Sequence, residues 1–173
     1  IEEIKEGDTI PIKYGMNYFG NEDLSKYVPV YKMGPGNSRP CTITANEDLY
    51  YLIGLILGDG CTRKNGNTFS ISSMDEEISF FLKRMKEEMF PENSLYIKRK
   101  KGKASDYCIT NKMFMEFWDN IGCDRNAYSY QKDIPKSVMN SKKEFLKATI
   151  QGLFDTDGYV IVKENTKKNY TVG

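Results

Sequence analysis

A chain of 173 residues, 39% apolar and 28% charged, can bury one good core or two small ones, and its Gly and Pro counts are too low for a disordered or fibrous protein. Histidine is absent altogether, which excludes Ser-His-Asp hydrolysis, His-ligated zinc and the histidine-dependent metal nucleases. Any hydrolytic chemistry must rest on carboxylates, lysines, water and a hard cation.

The formal net charge is only +1, but its distribution is uneven. Glu2, Glu3, Glu6, Asp8, Glu22 and Asp23 make the N-terminal stretch acidic, whereas Lys98, Arg99, Lys100, Lys101 and Lys103 form a run with no acid inside it. Lys132, Lys136, Lys142, Lys143 and Lys147 make a second, looser basic group. Local basic stripes matter more than the total when the partner is a phosphate backbone. Cys41, Cys61, Cys108 and Cys123 show neither C-x-x-C nor zinc spacing and read as free thiols of a reducing compartment. The longest apolar run, Tyr50–Leu57, is too short to span a bilayer, and no basic-then-apolar leader opens the sequence. The expectation is a soluble, intracellular, cytoplasmic protein with no membrane partner.

In chain order, residues 1–45 carry the turn formers Gly7-Asp8, Gly15, Gly20-Asn21 and Gly34-Pro35-Gly36-Asn37 and read as a linking segment. Thr44-x-x-Glu47 has the spacing of a capping box and predicts a helix from about residue 46 to Asp59-Gly60, with Gly60 in a left-handed terminal turn. Cys61–Arg63 and Thr68–Ser72 flank Asn65-Gly66 as a hairpin. Ser73-x-x-Glu76 predicts a cap for a second helix, with Ile78, Phe81, Leu82, Met85 and Met89 on one face. Ser94–Lys100 and Ser105–Thr110 read as another strand pair around Lys101-Gly102-Lys103. Met113, Phe114, Phe117, Trp118 and Ile121 form one face of a third helix, ended by Gly122. The first unit, residues 46–125, is therefore helix, two strands, helix, two strands, helix. In residues 126–173 a polar connector leads to Ser141-x-x-Glu144, a predicted cap for a helix running to Asp157-Gly158, and the pattern restarts.

The restart carries a signature. Leu52-Ile53-Gly54-Leu55-Ile56-Leu57-Gly58-Asp59-Gly60 and Ile150-Gln151-Gly152-Leu153-Phe154-Asp155-Thr156-Asp157-Gly158 superpose without gaps. Gly54 and Gly58 lie four apart on one helix face, as do Gly152 and Thr156 on the other, so the two helices can pack backbone to backbone. Leu57, which has no acidic counterpart to Asp155, reads as a helix-surface residue. Each helix would deliver an aspartate, Asp59 or Asp157, to its C-terminal end, where the macrodipole opposes a negative charge. Either these are turn residues before glycine, or the two carboxylates converge and are relieved by a bound cation. Their occurrence twice in register favours the second reading.

Both nonapeptides match the LAGLIDADG motif, and the chain resembles the monomeric, two-repeat LAGLIDADG homing endonucleases. That resemblance implies an α+β fold of αββαββα units with pseudo-twofold symmetry, the second unit incomplete here, its missing half carried elsewhere or on another chain. It implies that the motif helices form the seam and that each unit's sheet lies in the major groove of a double-stranded DNA target. It further implies that Asp59 and Asp157 bind Mg²⁺ and activate water against the scissile phosphates. Lys132-Asp133-Ile134-Pro135 resembles the Lys-x-Ile-Pro block of intein endonucleases, which makes Lys132 a catalytic candidate; the alternative is a solvated connector lysine. Ile1–Ile10 is similar to the segments preceding endonuclease domains in inteins. Lacking histidine and an initial Cys or Ser, the chain would be the interior of an intein whose splicing domain belongs to the full-length protein.

Strand alternation nominates a DNA-facing surface separately: Ser70, Ser72, Tyr96, Lys98, Lys100, Asp106 and Cys108, with Arg63 if the first strand stays in phase from Asp59. Lys163 extends the set into the second unit. A plain solvated sheet face would suit the same residues. The competing reading of the whole chain is a nucleic-acid-binding module without cleavage, either an RNA maturase or a degenerate DNA binder.

Overall fold

The computed structural model describes residues 19–30, 39–64 and 66–158, together with the backbone of 160–162 and 170–172. The predicted turns at Gly7-Asp8, Gly15 and Gly34-Pro35-Gly36-Asn37 and the predicted DNA contact Lys163 lie outside the described residues. The element order is α1 (Glu47–Leu57), β1 (Gly60–Thr62), β2 (Thr68–Ser73), α2 (Glu76–Met89), β3 (Leu95–Lys100), β4 (Lys103–Thr110) and α3 (Lys112–Asn120). After the connector come a short α4 (Lys136–Met139), α5 (Lys143–Asp157) and the antiparallel pair β5 (Val160–Val162) and β6 (Tyr170–Val172). The architecture is mixed α+β, with the αββαββα order expected for residues 46–125 and the LAGLIDADG fold it implied.

β1 to β4 form one antiparallel sheet in the order β1-β2-β4-β3. Period-two alternation gives the sheet one apolar face: Phe69, Ile71, Tyr107 and Ile109 are buried, and Leu95 and Ile97 pack against the same core. Behind it, the Phe69 ring lies 4.9 Å from Phe114 and 5.9 Å from Phe90, which brings α3 and the end of α2 onto the sheet. The turn of the β3–β4 hairpin and the stop after α3 use positive φ, 68° at Gly102 and 95° at Gly122, where a side chain would strain the backbone.

Three predicted caps are corrected. The N-cap of α1 is Asn46, whose side chain accepts from the Leu49 amide at 2.9 Å, and not Thr44. That of α2 is Asp75, accepting from Glu77 at 2.7 Å, with Ser73 one step removed and accepting from the Asp75 amide. α5 begins at Lys142 with no side-chain cap, and Ser141 is buried against the Tyr50 hydroxyl at 2.7 Å. The Ser/Thr-x-x-Glu spacing marked each region correctly, but an Asx residue nearer the free amides, or a tertiary partner, took over the role. The Gly60 turn is corrected as well. Gly60 opens β1 opposite Ile71, and α1 ends on Gly58 at φ −73°, because strand pairing begins at once.

α1 is buried on nearly every side, between the sheet and α5, and for that reason Leu57 is core and not surface. A Cβ added to Gly54 would meet the Thr149 carbonyl oxygen at 2.2 Å, and one on Gly152 would meet that of Tyr51 at 2.4 Å. Around this contact Tyr50 stacks on Phe145 at 4.6 Å, and the Tyr51 hydroxyl donates to Asp155 at 2.8 Å. Parts of the N-terminal stretch join the same core. Leu24 and Cys41 are buried, Glu22 donates its amide to Asn140, and Thr42 donates to Met89. Among the described residues no helix is long and apolar enough to cross a membrane.

Because both helix backbones must separate to admit a methyl group, Gly152→Ala is expected to destabilise the fold by roughly 1–3 kcal/mol in chemical denaturation. Gln151→Ala, on the exposed side of α5, should stay within about 0.5 kcal/mol of the parent.

Candidate functional site

The seam that packs Gly54 on Gly152 also aligns the C-terminal ends of α1 and α5. A Cβ on Gly58 would lie 2.0 Å from Thr156 Oγ1 and 3.4 Å from Asp157 Oδ2. Thr156 keeps its hydroxyl on its own helix, donating toward the carbonyls of Leu153 at 2.9 Å and Gly152 at 3.1 Å, so it fills the seam without opening it. The sequence therefore delivers Asp59 and Asp157 to one place, with both side chains exposed. Partial desolvation raises the Asp59 carboxyl above its ordinary value. The Asp157 charge pushes it further, and Lys132 opposes both.

Lys132 is neither free nor fully solvated. It is half-buried, and its ammonium donates to the carbonyl oxygens of Ile56 at 3.2 Å, Gly58 at 3.3 Å and Gly60. Ile56 lies in the last turn of α1 and Gly58 is its C-cap, so the lysine caps the helix and counters its negative pole, while its third bond reaches the first residue of β1. Burial draws the Lys132 ammonium below its ordinary range, while Cys61, Asp157 and Asp59 hold it up. The connector is therefore fastened to the end of α1 through this side chain, with Asp59 and Asp157 near enough to act on its charge.

The donor set around the acids is oxygen-rich and free of imidazole. Among the described residues no group of three or more His, Cys, Asp and Glu side chains gathers anywhere. Two carboxylates, backbone carbonyls, water and a phosphate oxygen are the kind of shell that Mg²⁺ accepts, whereas a structural zinc site would need more protein ligands.

Next to the acids, the outward face of the sheet floors a trough of about 860 Å³. Of the nominated residues, Arg63, Ser70, Tyr96, Lys98, Asp106 and Cys108 line it. Ser72 shares the face but not the trough, and its hydroxyl donates to Asp106 at 2.8 Å. The ladder shifts register between Lys98 and Lys100, and the side chain of Lys100, the remaining nominated residue of β3, lies outside what the structure describes. Cys61, exposed and paired with Ser70, also lines the trough; extending alternation from Asp59 would have found it. Arg39, Asn67, Asn93, Asn111 and Lys112 close the far end, brought there by loops and the start of α3 that carry no periodic signal. There Asn111 donates to the Arg39 carbonyl and to Asn93 Oδ1, both at 3.0 Å, which fastens the rim to the core.

Replacing Asp59 by Asn is expected to stabilise the fold at neutral pH by roughly 0.3–1 kcal/mol, since the charge it removes sits at the negative end of a helix. With a raised folded-state pKa, Asp59 weakens the fold only while ionised. The difference should therefore shrink as pH falls through the carboxylate range, where wild-type Asp59 becomes neutral too. Thermal melts of both proteins across pH test this; a gap that widens toward acid would contradict it.

Residues 46–122 match the family model described as a LAGLIDADG-like domain. The chain is 29% identical over 171 residues, 95% of its length, to the ATP-dependent DNA helicase Hel308 of Thermococcus kodakarensis, covering 14% of that protein. It is also 29% identical over 172 residues, 91% of its length, to the DNA-directed RNA polymerase subunit Rpo1C of Methanocaldococcus jannaschii, covering 19% of it. A third relative, the replication factor C small subunit of M. jannaschii, is 28% identical over 113 residues, which is 65% of this chain and 6% of that one. The chain thus spans less than a fifth of the length of these curated relatives. The order of elements over residues 46–122 and this match agree: that part of the chain is similar to the LAGLIDADG-like domain.

Proposed function

We propose that the chain is the cutting part of a two-repeat homing endonuclease that makes a sequence-specific break in double-stranded DNA, carried inside an intein. The observation that carries this reading is the meeting of Asp59 and Asp157 at paired helix ends beside a trough lined by Arg63, Lys98 and hydrogen-bonding side chains. Two carboxylates forced together at negative helix poles are costly unless they serve a cation, and a cationic, hydrogen-bonding trough suits a phosphate-rich duplex.

In this reading Asp59 and Asp157 are the residues that would hold Mg²⁺. Bound there, Mg²⁺ would polarise a phosphoryl oxygen and favour ionisation of an attacking water. Lys132 positions the site: by capping α1 it fixes the direction of Asp59 and places a positive charge where negative charge grows on a phosphate. Arg63 and Lys98 supply phosphate contacts. Ser70, Tyr96, Asp106 and Cys108 face the base edges, which ranks them as the sequence readers of the first half-site.

The two-repeat reading is supported by the exposure of α5. Ile150 and Phe154 are 40% and 52% exposed, whereas the matching Leu52 and Ile56 of α1 are each 1% exposed under their sheet. A second sheet over α5 would give it the same cover. The intein reading is supported by the relatives. A helicase, a polymerase subunit and a replication factor are different proteins by name, yet each shares only 6–19% of its length with this chain. An inserted segment common to unrelated hosts would give that distribution.

The test uses the intact protein and a plasmid bearing the host coding sequence with the insertion removed. Linearisation in Mg²⁺ and none in chelator is the expected result, with Asp59→Asn or Asp157→Asn reducing cleavage to background while DNA binding persists. Lys98→Ala should weaken binding and lower the slope of log affinity against log salt by about one. Cleavage retained in the Asp59→Asn, Asp157→Asn double variant would refute the nuclease. Tight binding without any cleavage would leave the binding-module reading.

A further inference from the structure

The connector between α3 and α4 is held at both ends and bare in the middle. At one end the Arg125 guanidinium forms an ion pair with Asp119 and donates to the carbonyls of Met115 at 2.8 Å and Gly66 at 3.0 Å. The Arg125 carbonyl in turn accepts from Thr62 Oγ1 at 2.7 Å, tying the loop to β1. At the other end Lys132 is seated in the carbonyls that close α1. Between them, the Gln131 side chain accepts from the Tyr128 amide and the Gln131 amide donates to the Tyr128 carbonyl, folding a short 3₁₀ turn over Ser129–Gln131. On this turn the rings of Tyr128 and Tyr130 lie parallel within 1°, their centroids 5.8 Å apart, while the two residues are 67% and 81% exposed.

A cavity of about 440 Å³ opens between this loop and β1, lined among others by Gly60, Cys61, Lys64, Tyr128 and Lys132. It shares Cys61 with the trough, and Gly60 and Lys132 with the helix end that carries Asp59. The connector therefore borders the candidate cutting site on the side away from the far rim of the trough. Two parallel, exposed aromatic rings offer a surface that suits a planar base, and the exposed Lys64, which lines the cavity with Tyr128, suits the phosphate attached to it. Nucleic acid that enters along the trough and passes the acids would meet this surface next.

We propose that Tyr128 and Tyr130 form a stacking platform for a nucleobase of the strand next to the cut, with Lys64 contacting its phosphate. This rests on the nuclease reading above and adds to it a positioning element outside the sheet. Loss of an aromatic platform costs roughly 5- to 100-fold in affinity for an unpaired base. Because both rings are exposed, their removal should leave the melting temperature unchanged, so a binding effect is separable from a folding effect.

The test compares the intact wild-type protein with its Tyr128→Ala, Tyr130→Ala double variant and its Tyr128→Phe, Tyr130→Phe counterpart. The probes are a plain duplex and the same duplex with a short single-stranded gap carrying 2-aminopurine, both at low salt. The Ala pair is expected to lose affinity for the gapped probe by that factor and to lose the 2-aminopurine quenching, while the Phe pair retains both. Equal binding and quenching by wild type and the Ala pair would overturn the platform; a Lys98→Ala loss on both probes in the same experiment would show that the trough reading survives. Failure of the wild-type protein to bind either probe would defeat both readings.

Discussion

The contact on which the molecule depends is backbone against backbone, where α1 meets α5. Gly54 and Gly152 leave no room for a methyl group: the Thr149 and Tyr51 carbonyls occupy the places where their Cβ atoms would be. Close packing of this kind brings dispersion contacts and excludes water, and it also fixes the axial register of the two helices. Once Gly54 sits on Gly152, Gly58 must sit on Thr156, and the residues after them are carried to the same point. The convergence of Asp59 and Asp157 is thus a consequence of packing a full turn earlier.

That geometry is stabilising in its hydrocarbon and unfavourable in its charge. The core of α1, with Leu52, Ile53, Leu55 and Ile56 almost wholly buried, supplies the driving force. The acids at its end oppose it, and the raised Asp59 carboxyl is the sign of that opposition. Lys132 is the internal relief: it meets the helix carbonyls directly and the carboxylates through space. Natural folds hold such unfavourable charge where it serves chemistry. The same lysine couples the connector to the seam, so the loop bearing Tyr128 and Tyr130 has one end fastened to the point where the acids meet.

The sheet contributes a different constraint. Its apolar face is committed to Phe69, Ile71 and the aromatic groups of α2 and α3, which fixes the strands in register and leaves the alternate residues outward. The outward set is mixed polar and basic, and the trough above it inherits that chemistry. Ser72 and Asp106 spend part of their hydrogen-bonding capacity on each other, which holds them in place across β2 and β4.

Much of this was legible in the sequence, because it rests on short-range periodicity. The two nonapeptides in register predicted the seam, its glycines and where its aspartates fall; period-two alternation predicted the outward place of Ser70, Tyr96, Lys98, Asp106 and Cys108 on the trough floor, though not that Ser72 would fall outside it; turn glycines predicted the hairpins and the stop at Gly122. What tertiary structure alone decided is whatever depends on partners distant in the chain. Ser141 looked like a cap and became a buried partner of Tyr50, ninety-one positions away. Leu57 looked like surface and became core, because a sheet and a second helix close over α1. Arg39 reached the rim of the trough through a loop and Lys112 from the start of α3, with no periodic pattern to announce either; the Lys132 block was legible, but not that its ammonium would seat in the carbonyls at the end of α1. Periodicity records which face of an element is apolar; it holds no record of what will come to lie against that face.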